Sequence, residues 1–251
     1  MKPDDLESRM REREYFHRLR LPPGSFAVVR VDGRGFSRLT KTRFEKPMDA
    51  RFHELMVTTA ASLLTGLHAL YAYTESDEIS VLLPRDWALF DRELEKLVSL
   101  SAANASATFT ATSGIRAEFD SRVWIGATEQ DVVDYFRWRQ ADATRCGLNG
   151  WCYWTLRKAG RSVAEATKAL EGRDVAWKNE LLFQNGVNFN DTPLWQRRGT
   201  GLYVETYERP GRDPRTGEER TATRRRVRVD AELPMGDAYA EFLRRLLEGT
   251  G

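Results

Sequence analysis

Apolar and polar positions along the first half of the chain fall into blocks that switch between a helical and a strand period. Residues 4–20 are charged and helix-compatible, with Leu6, Met10 and Phe16 as apolar contacts, and Pro22-Pro23-Gly24 ends the segment. An apolar run then predicts a buried strand over residues 26–32, leading into Val31-Asp32-Gly33-Arg34-Gly35-Phe36. A short connection at 39–44 runs into Phe44-Glu45-Lys46-Pro47, where Pro47 suits the first turn of a helix. Phe52, Leu55, Met56, Thr59, Ala60, Leu63 and Leu64 follow at helical spacing and form one buried face. Strands are expected at 69–73 and 79–83, joined by the acidic turn Glu75-Ser76-Asp77-Glu78. A second long helix over 87–108 turns Phe90, Leu94, Leu97, Val98 and Ala105 inward, and a further strand is expected at 121–126.

The order β-α-β-β-α-β is that of the ferredoxin-like split βαβ, an antiparallel sheet with two helices on one face. This topology sets the end of the first strand beside the hairpin joining the next two. Asp32 and Asp77, 45 residues apart, can therefore converge. The second half reads mainly helical, over 129–144, 149–158, 162–170 and 175–183. Two β-compatible runs, 201–208 and 221–229, flank a turn at 213–217, and an amphipathic helix at 238–247 closes the chain. The expected class is α+β, with a core at 1–127 and a helical region, hairpin and last helix at 128–251, integrated into one domain.

A composition of 41% hydrophobic and 30% charged residues, with seven Trp and twelve Phe, provides a core for a soluble globular protein. No run approaches the roughly 18 apolar residues of a membrane span, and the first 24 residues lack a secretory apolar stretch, so a cytoplasmic location is expected. Cys146 and Cys152, on what read as adjacent helices, are expected to be reduced thiols. His17, His53 and His68 lack metal-ligand spacing. The net charge of +2 decides little, but residues 209–228 hold eight Arg against Asp213, Glu218 and Glu219. Such a segment serves either as a solvated hairpin or as a surface for a phosphate backbone.

Two carboxylates at sheet ends beside a glycine turn form an oxygen-only site suited to Mg²⁺. A pair of such ions about 3.5–4 Å apart activates a hydroxyl and stabilises leaving pyrophosphate. Arg34 and Lys46 are near in sequence for triphosphate charge, with Arg30, Lys96, Arg122 and Lys178 more distant, and the Gly33 and Gly35 backbone can serve phosphate or metal. Neither a Walker P-loop nor a GxGxxG fingerprint is present. Each feature also has a plainer reading. Asp32-Gly33 is ordinary turn chemistry, Lys46 a surface charge, Glu75 and Glu78 a solvated hairpin tip, and Arg122 with Asp120 a surface ion pair. Trp138, Trp151 and Trp154 read as core residues before stacking platforms.

Six motifs in order resemble the tRNA-histidine guanylyltransferase-like family of 3′-to-5′ nucleotide-adding polymerases, from the N-terminal segment to about Tyr207. They are Val31-Asp32-Gly33-Arg34-Gly35-Phe36, Phe44-Glu45-Lys46-Pro47, Ser76-Asp77-Glu78, Phe119-Asp120-Ser121-Arg122-Val123, Trp138-Arg139-Gln140-Ala141-Asp142 and Lys178-Asn179-Glu180-Leu181-Leu182-Phe183. The resemblance implies a polymerase-palm core, usually tetrameric, with two Mg²⁺ ions on the side chains of Asp32 and Asp77 and the carbonyl of Gly33. It implies nucleotide contacts from Asp32, Gly33, Arg34, Gly35, Phe36, Ser37, Ser76 and Asp77, and Lys46 on the triphosphate. Lys96, Arg122 and Lys178 would serve a second triphosphate or the RNA 5′ end. In that chemistry the 5′ end is activated by ATP or GTP, and the 3′-hydroxyl of an incoming NTP attacks it. Members that mark tRNA-histidine carry His-Ile-Asn-Asn where this chain has Thr144-Arg145-Cys146-Gly147. That departure favours the branch that repairs 5′-truncated tRNAs by templated addition, with Arg224, Arg225 and Arg226 on tRNA. The rivals are a tRNA-histidine-specific guanylyltransferase, a nucleotide cyclase on the same palm, and a non-catalytic tRNA-binding module.

Overall fold

A computed structural model describes residues 3–212, 215 and 219–248. The apolar run predicted as the first strand is β1 (Phe26–Arg34), which pairs antiparallel with β3 (Glu78–Leu83) on one side and β4 (Glu118–Gly126) on the other. β2 (Tyr71–Glu75) pairs with β3 and with the long strand β5 (Thr200–Arg212), which pairs in turn with β6 (Glu219–Asp230). The resulting six-stranded order β4-β1-β3-β2-β5-β6 contains the predicted ferredoxin-like core in its first four strands.

Strand alternation gives the sheet two different faces. Val29, Val31, Ile79 and Val81 point toward α3 (Ala50–Gly66) and α4 (Leu94–Ser113) and join the main core with Leu63, Leu97 and Phe109. Val28, Leu82, Tyr71 and Tyr73 point the other way, under Phe136 of α5 (Glu129–Lys158) and Tyr239 of α9 (Gly236–Glu248). The helices predicted on one face are thus joined by two more on the opposite face. The sheet also crosses the expected boundary at residue 127, because β5 completes the edge of β2 and α5 roofs Tyr71 and Tyr73.

Local chemistry fixes the element ends. α3 starts at Ala50 rather than at Pro47, because the Asp49 carboxylate caps the amides of Arg51 and Phe52. The connection at 39–44 is itself helical, as α2 (Phe36–Arg43) begins directly after Gly35, whose φ is 74°. α4 starts at Leu94, not at 87. Phe90, Asp91 and Arg92 adopt positive φ, and the Arg92 guanidinium donates to the carbonyls of Leu21, Pro22 and Trp87, tying this segment to the start of β1.

The helices expected at 129–144 and 149–158 are one 30-residue helix, α5, opened by a reciprocal cap between Thr128 and Asp131. Cys146 and Cys152 therefore share a helix, as free thiols. α6 (Val163–Leu170), α7 (Val175–Gln184) and the short α8 (Trp195–Arg198) pack on the C-terminal half of α5. Its mid-helix glycine is a packing requirement, since a Cβ at Gly147 would run into the Gln196 carbonyl. The N-terminal segment forms α1 (Pro3–Arg11) and a single turn at Tyr15–Arg18, with Leu6, Met10 and Phe16 exposed instead of packed. Apart from Arg215, the predicted turn at 213–217 lies outside the described residues.

Candidate active site

The convergence expected of Asp32 and Asp77 follows from strand register. Asp32 stands opposite Glu78, and the amide of Gly33 donates to the Asp77 carbonyl at 3.0 Å. Only two residues, Ser76 and Asp77, separate paired Glu75 and Glu78, and Ser76 takes the left-handed conformation at φ 49°. The hairpin tip is thereby folded back onto the end of β1. Burial raises the Asp77 carboxyl above the usual range, and the nearby charge of Asp32 adds to the shift. The Ser76 hydroxyl, 3.0 Å away, and Lys46 oppose it.

Gly33 is needed for reasons of space. A side chain there would overlap the ring of Phe36. That ring is buried in a cluster with Phe52, Phe109 and Phe119, so the turn after β1 lies flat on an aromatic core. Of Phe36, therefore, only the backbone is available to a ligand. It opens α2, and the first turn of a helix presents amides without intrahelical partners, a natural seat for phosphate.

Beside the carboxylates lies a cavity of about 400 Å³, lined by Ser37, Lys46, Ser76 and Asp77 together with Phe44, His53, Trp154 and Trp195. Lys46 is partly buried, donates to Thr40 Oγ1 at 2.7 Å and stands 5.9 Å from the Trp154 ring centre. Burial lowers its pKa, countered by the charges of Asp77 and Asp49. The surface-charge reading of Lys46 is thereby replaced, because its ammonium faces Asp77 inside the cavity wall. His53 stacks on Trp195 at 4.2 Å and contacts Thr200 Oγ1 at 2.8 Å, and burial pushes its pKa down to about 4. The lining thus joins aromatic rings to charged groups, a mixture suited to a ligand with a ring at one end and anionic charge at the other.

The other predicted residues divide. Arg34 reaches over the surface to Glu118 at 3.3 Å. Arg122 lies on β4 directly opposite Arg30, on the Asp32 face of the sheet, and pairs with Asp120 at 2.8 Å. Lys178 is half-buried on α7, where its carbonyl accepts from the Cys152 thiol. Lys96 sits in the first turn of α4, held by Glu93 at 3.2 Å. That turn neighbours the start of β1, whereas Asp32 and the end of α4 lie at the opposite end of the sheet. The fold does not gather Lys96 with the carboxylates. Arg224 and Arg226 oppose Tyr207 and Glu205, while Arg225 opposes Thr206 and so points to the other face of the hairpin.

Glu78, whose plainer reading is a solvated tip, is a partly buried anchor. Arg139 grips it with two hydrogen bonds, at 2.7 and 3.0 Å, and also donates to Asp142 at 3.1 Å. Glu75 is pushed up to about 8 by burial and by Glu78, against the pull of Arg139. Among the described residues, Glu75, Asp142 and Cys146 bring side-chain donors within 4.8 Å of one another. This trio does not suit a hard cation. Arg139 and Arg145 already neutralise Asp142, and burial, with the two carboxylates, pushes the Cys146 thiol up to about 11. Asp32 and Asp77, with the adjacent Gly33 carbonyl, are the hard oxygen donors Mg²⁺ takes, and their mutual repulsion is only partly offset by Lys46. Sequence reasoning missed His53, Trp195 and Arg139. The Trp138-to-Asp142 motif was the one signal that pointed toward Arg139.

An antiparallel palm with one carboxylate near the end of its central strand and a second on the adjoining hairpin tip, beside a nucleotide-sized cavity, defines a nucleotidyltransferase of the polymerase-palm class. The family model described as tRNAHis guanylyltransferase, Thg1, matches residues 7–130, and that for the Thg1 C terminal domain matches 130–234. The chain belongs to the Thg1 family. It is 34% identical over 237 residues to the tRNA(His) guanylyltransferase of Debaryomyces hansenii, covering 88% of each chain. It also superposes on a bacterial Thg1-like protein in complex with GTP, with a TM-score of 0.73, 27% identity and coverage of 97% of this chain and 99% of that one. The ATP complex of a bacterial Thg1-like protein gives a TM-score of 0.74, 29% identity and coverage of 96% and 99%.

Proposed function

We propose that this chain adds nucleotides to the 5′ end of tRNA in the 3′-to-5′ direction, templated by the opposite strand, and so repairs truncated acceptor stems. The observation that carries the reading is the meeting of Asp32 with Asp77, which lines a cavity together with Lys46. Asp32, Asp77 and the Gly33 carbonyl would hold two Mg²⁺ ions, which when bound activate a hydroxyl and neutralise a leaving pyrophosphate. Lys46 and the amides at the start of α2 take the triphosphate of a nucleotide whose base lies among Phe44, Trp154 and Trp195. GTP and ATP complexes of bacterial Thg1-like proteins support either nucleotide in the activating role. Arg224 and Arg226 take tRNA backbone, and the working form is a homotetramer.

Strict addition of one G to tRNA-histidine is the second reading, favoured by the name of the D. hansenii relative. The templated reading rests on Thr144-Arg145-Cys146-Gly147. This stretch lies inside α5, with Thr144 donating to the Arg197 carbonyl at 2.7 Å and Gly147 against α8. Two measurements test the proposal. Asp32→Ala or Asp77→Ala should lower Mg²⁺-dependent addition at least about a thousand-fold while RNA binding stays within about three-fold; near-normal addition by either variant refutes the metal assignment. A 5′-truncated tRNA of non-histidine identity, with its missing pair varied, should be extended by the Watson–Crick partner. Failure to extend it favours the histidine-specific reading.

A further inference from the structure

The sheet face that carries Asp32 is apolar toward β2 but turns polar toward β4. There Arg30 and Arg122 stand directly opposite each other, one alternation along their strands from Asp32 and Asp120. Over them, on α5, lies Trp138, 52% exposed although Tyr135 and Phe136 beside it are buried. The indole meets Tyr135 edge-on at 5.7 Å, with the Arg30 guanidinium 5.7 Å and the Arg139 guanidinium 4.6 Å from its centre. Its expected place in the core is therefore wrong, since it is a large aromatic ring held in position with half its surface open.

The cations around it differ in how far they are committed. Arg139 is held by Glu78 and Asp142. Arg122 bonds Asp120 but remains half exposed, and its charge is felt by Asp32 and Glu78. The Nε of Arg30 is buried without a hydrogen bond, with its nearest carboxylate oxygen, on Glu78, 3.7 Å away. An open indole with the incompletely satisfied Arg30 guanidinium beside it, and Arg122 opposite Arg30 on the next strand, matches a nucleobase carrying a phosphate. Trp138 is not part of the cavity wall that holds Trp154 and Trp195. Asp77 lines that cavity, whereas Asp32 shares its sheet face with Arg30 beside Trp138, and joining two nucleotides requires two seats.

We propose that Trp138 is the stacking platform for the first base at the RNA 5′ end, with Arg30 and Arg122 on its phosphate. This assignment rests on the nucleotide-addition reading above.

The test uses the full chain and a 5′-triphosphorylated, truncated tRNA, beside a twin with an abasic first residue. Wild-type protein should bind the abasic twin about ten-fold more weakly, the loss of one stacked base. Trp138→Ala and Trp138→Leu should raise KM for the intact RNA by about the same factor, leave KM for the NTP unchanged and lose little more on the abasic twin, while Trp138→Phe stays within about three-fold of wild type. Equal losses on the abasic twin in wild type and Trp138→Ala overturn the proposal. So does a rise confined to KM for the NTP, which assigns the ring to the free nucleotide. A change in oligomer mass by light scattering with RNA affinity intact also overturns it, in favour of a subunit contact. The wild-type comparison of the two RNAs needs no variant to fold. It reads binding even if addition is absent, so failure of the proposed function and failure of the platform are told apart.

Discussion

Individual side chains in this molecule are set by what lies behind them. His53 is held neutral by burial between Trp195 and Thr200, with its pKa near 4, below the value of about 6.5 it regains on unfolding. Between those values the unfolded chain binds a proton that the folded chain refuses. Stability should therefore fall by up to about 3 kcal/mol as pH drops from 6.5 to 4, with none of this loss above 6.5. Burial holds Glu75 up at about 8, and its own contribution runs the opposite way, shrinking as pH rises above about 4.5. Denaturant midpoints of wild type and His53→Gln at pH 7, 5.5 and 4.5 isolate the imidazole, because Glu75 is common to both. Difference curves that stay flat between pH 7 and 4.5 would contradict this. At this scale the sequence showed Asp32, Asp77 and Lys46, since an acid after an apolar run or a lysine before a proline can be seen locally. Trp195 and His53 could not be seen. Their meeting is made by residues 142 positions apart, and only the packing of α8 beside α3 creates it.

Elements were legible where one face is buried at a clean period. β1, β2, β3 and α3 lie close to their expected places because alternation and the 3.6-residue repeat there match the burial. The sequence pattern predicts two helices with a gap at 145–148, yet tertiary contact with α7 and α8 carries α5 through Gly147 despite its low helix propensity. Arginines in the hairpin were counted but not assigned to faces, and the register now separates them. Tyr203, Glu205 and Tyr207 share the α9 side of the sheet, placing Arg224, Arg226 and Arg228 with them, and Arg226 pairs with Glu205 and lies 4.9 Å from the Tyr207 ring. Arg225 shares its face with Val204 and Val227, which lean on the opposite core. In a salt titration of tRNA binding, neutralising Arg224 and Arg226 together should reduce the log–log slope by about 1.4–1.8, whereas Arg225→Gln should leave it near wild type. Equal effects from the two changes would show that the backbone contact is not confined to one face.

Over the whole molecule, the regions expected at 1–127 and 128–251 share one sheet and one of its cores. β5 hydrogen-bonds β2, and α5 and α9 cover Tyr71, Tyr73 and Leu82. We expect the full chain to unfold in one calorimetric transition and a chain ending at residue 127 to lose cooperative unfolding, because one face of its sheet would be bare. Two separate transitions in the full chain would argue for independent units. Among the described residues, no helix is long and apolar enough to cross a membrane.

The plane of Phe36 against Gly33 has a practical meaning for anyone altering this enzyme. The turn that carries the carbonyl beside Asp32 is levelled by a ring whose other neighbours, Phe52, Phe109 and Phe119, come from two helices and a strand. Random libraries screened for lost activity should therefore yield hits at Phe109, which does not itself line the cavity but packs on Phe36 and Phe52, which do. Conversely, trimming Phe52 should tilt the turn beside Asp32 as well as enlarge the pocket. Under the proposed nucleotide-binding reading, a designer who wants a new base specificity should work from the Trp154 and Trp195 wall and leave the phenylalanine stack alone.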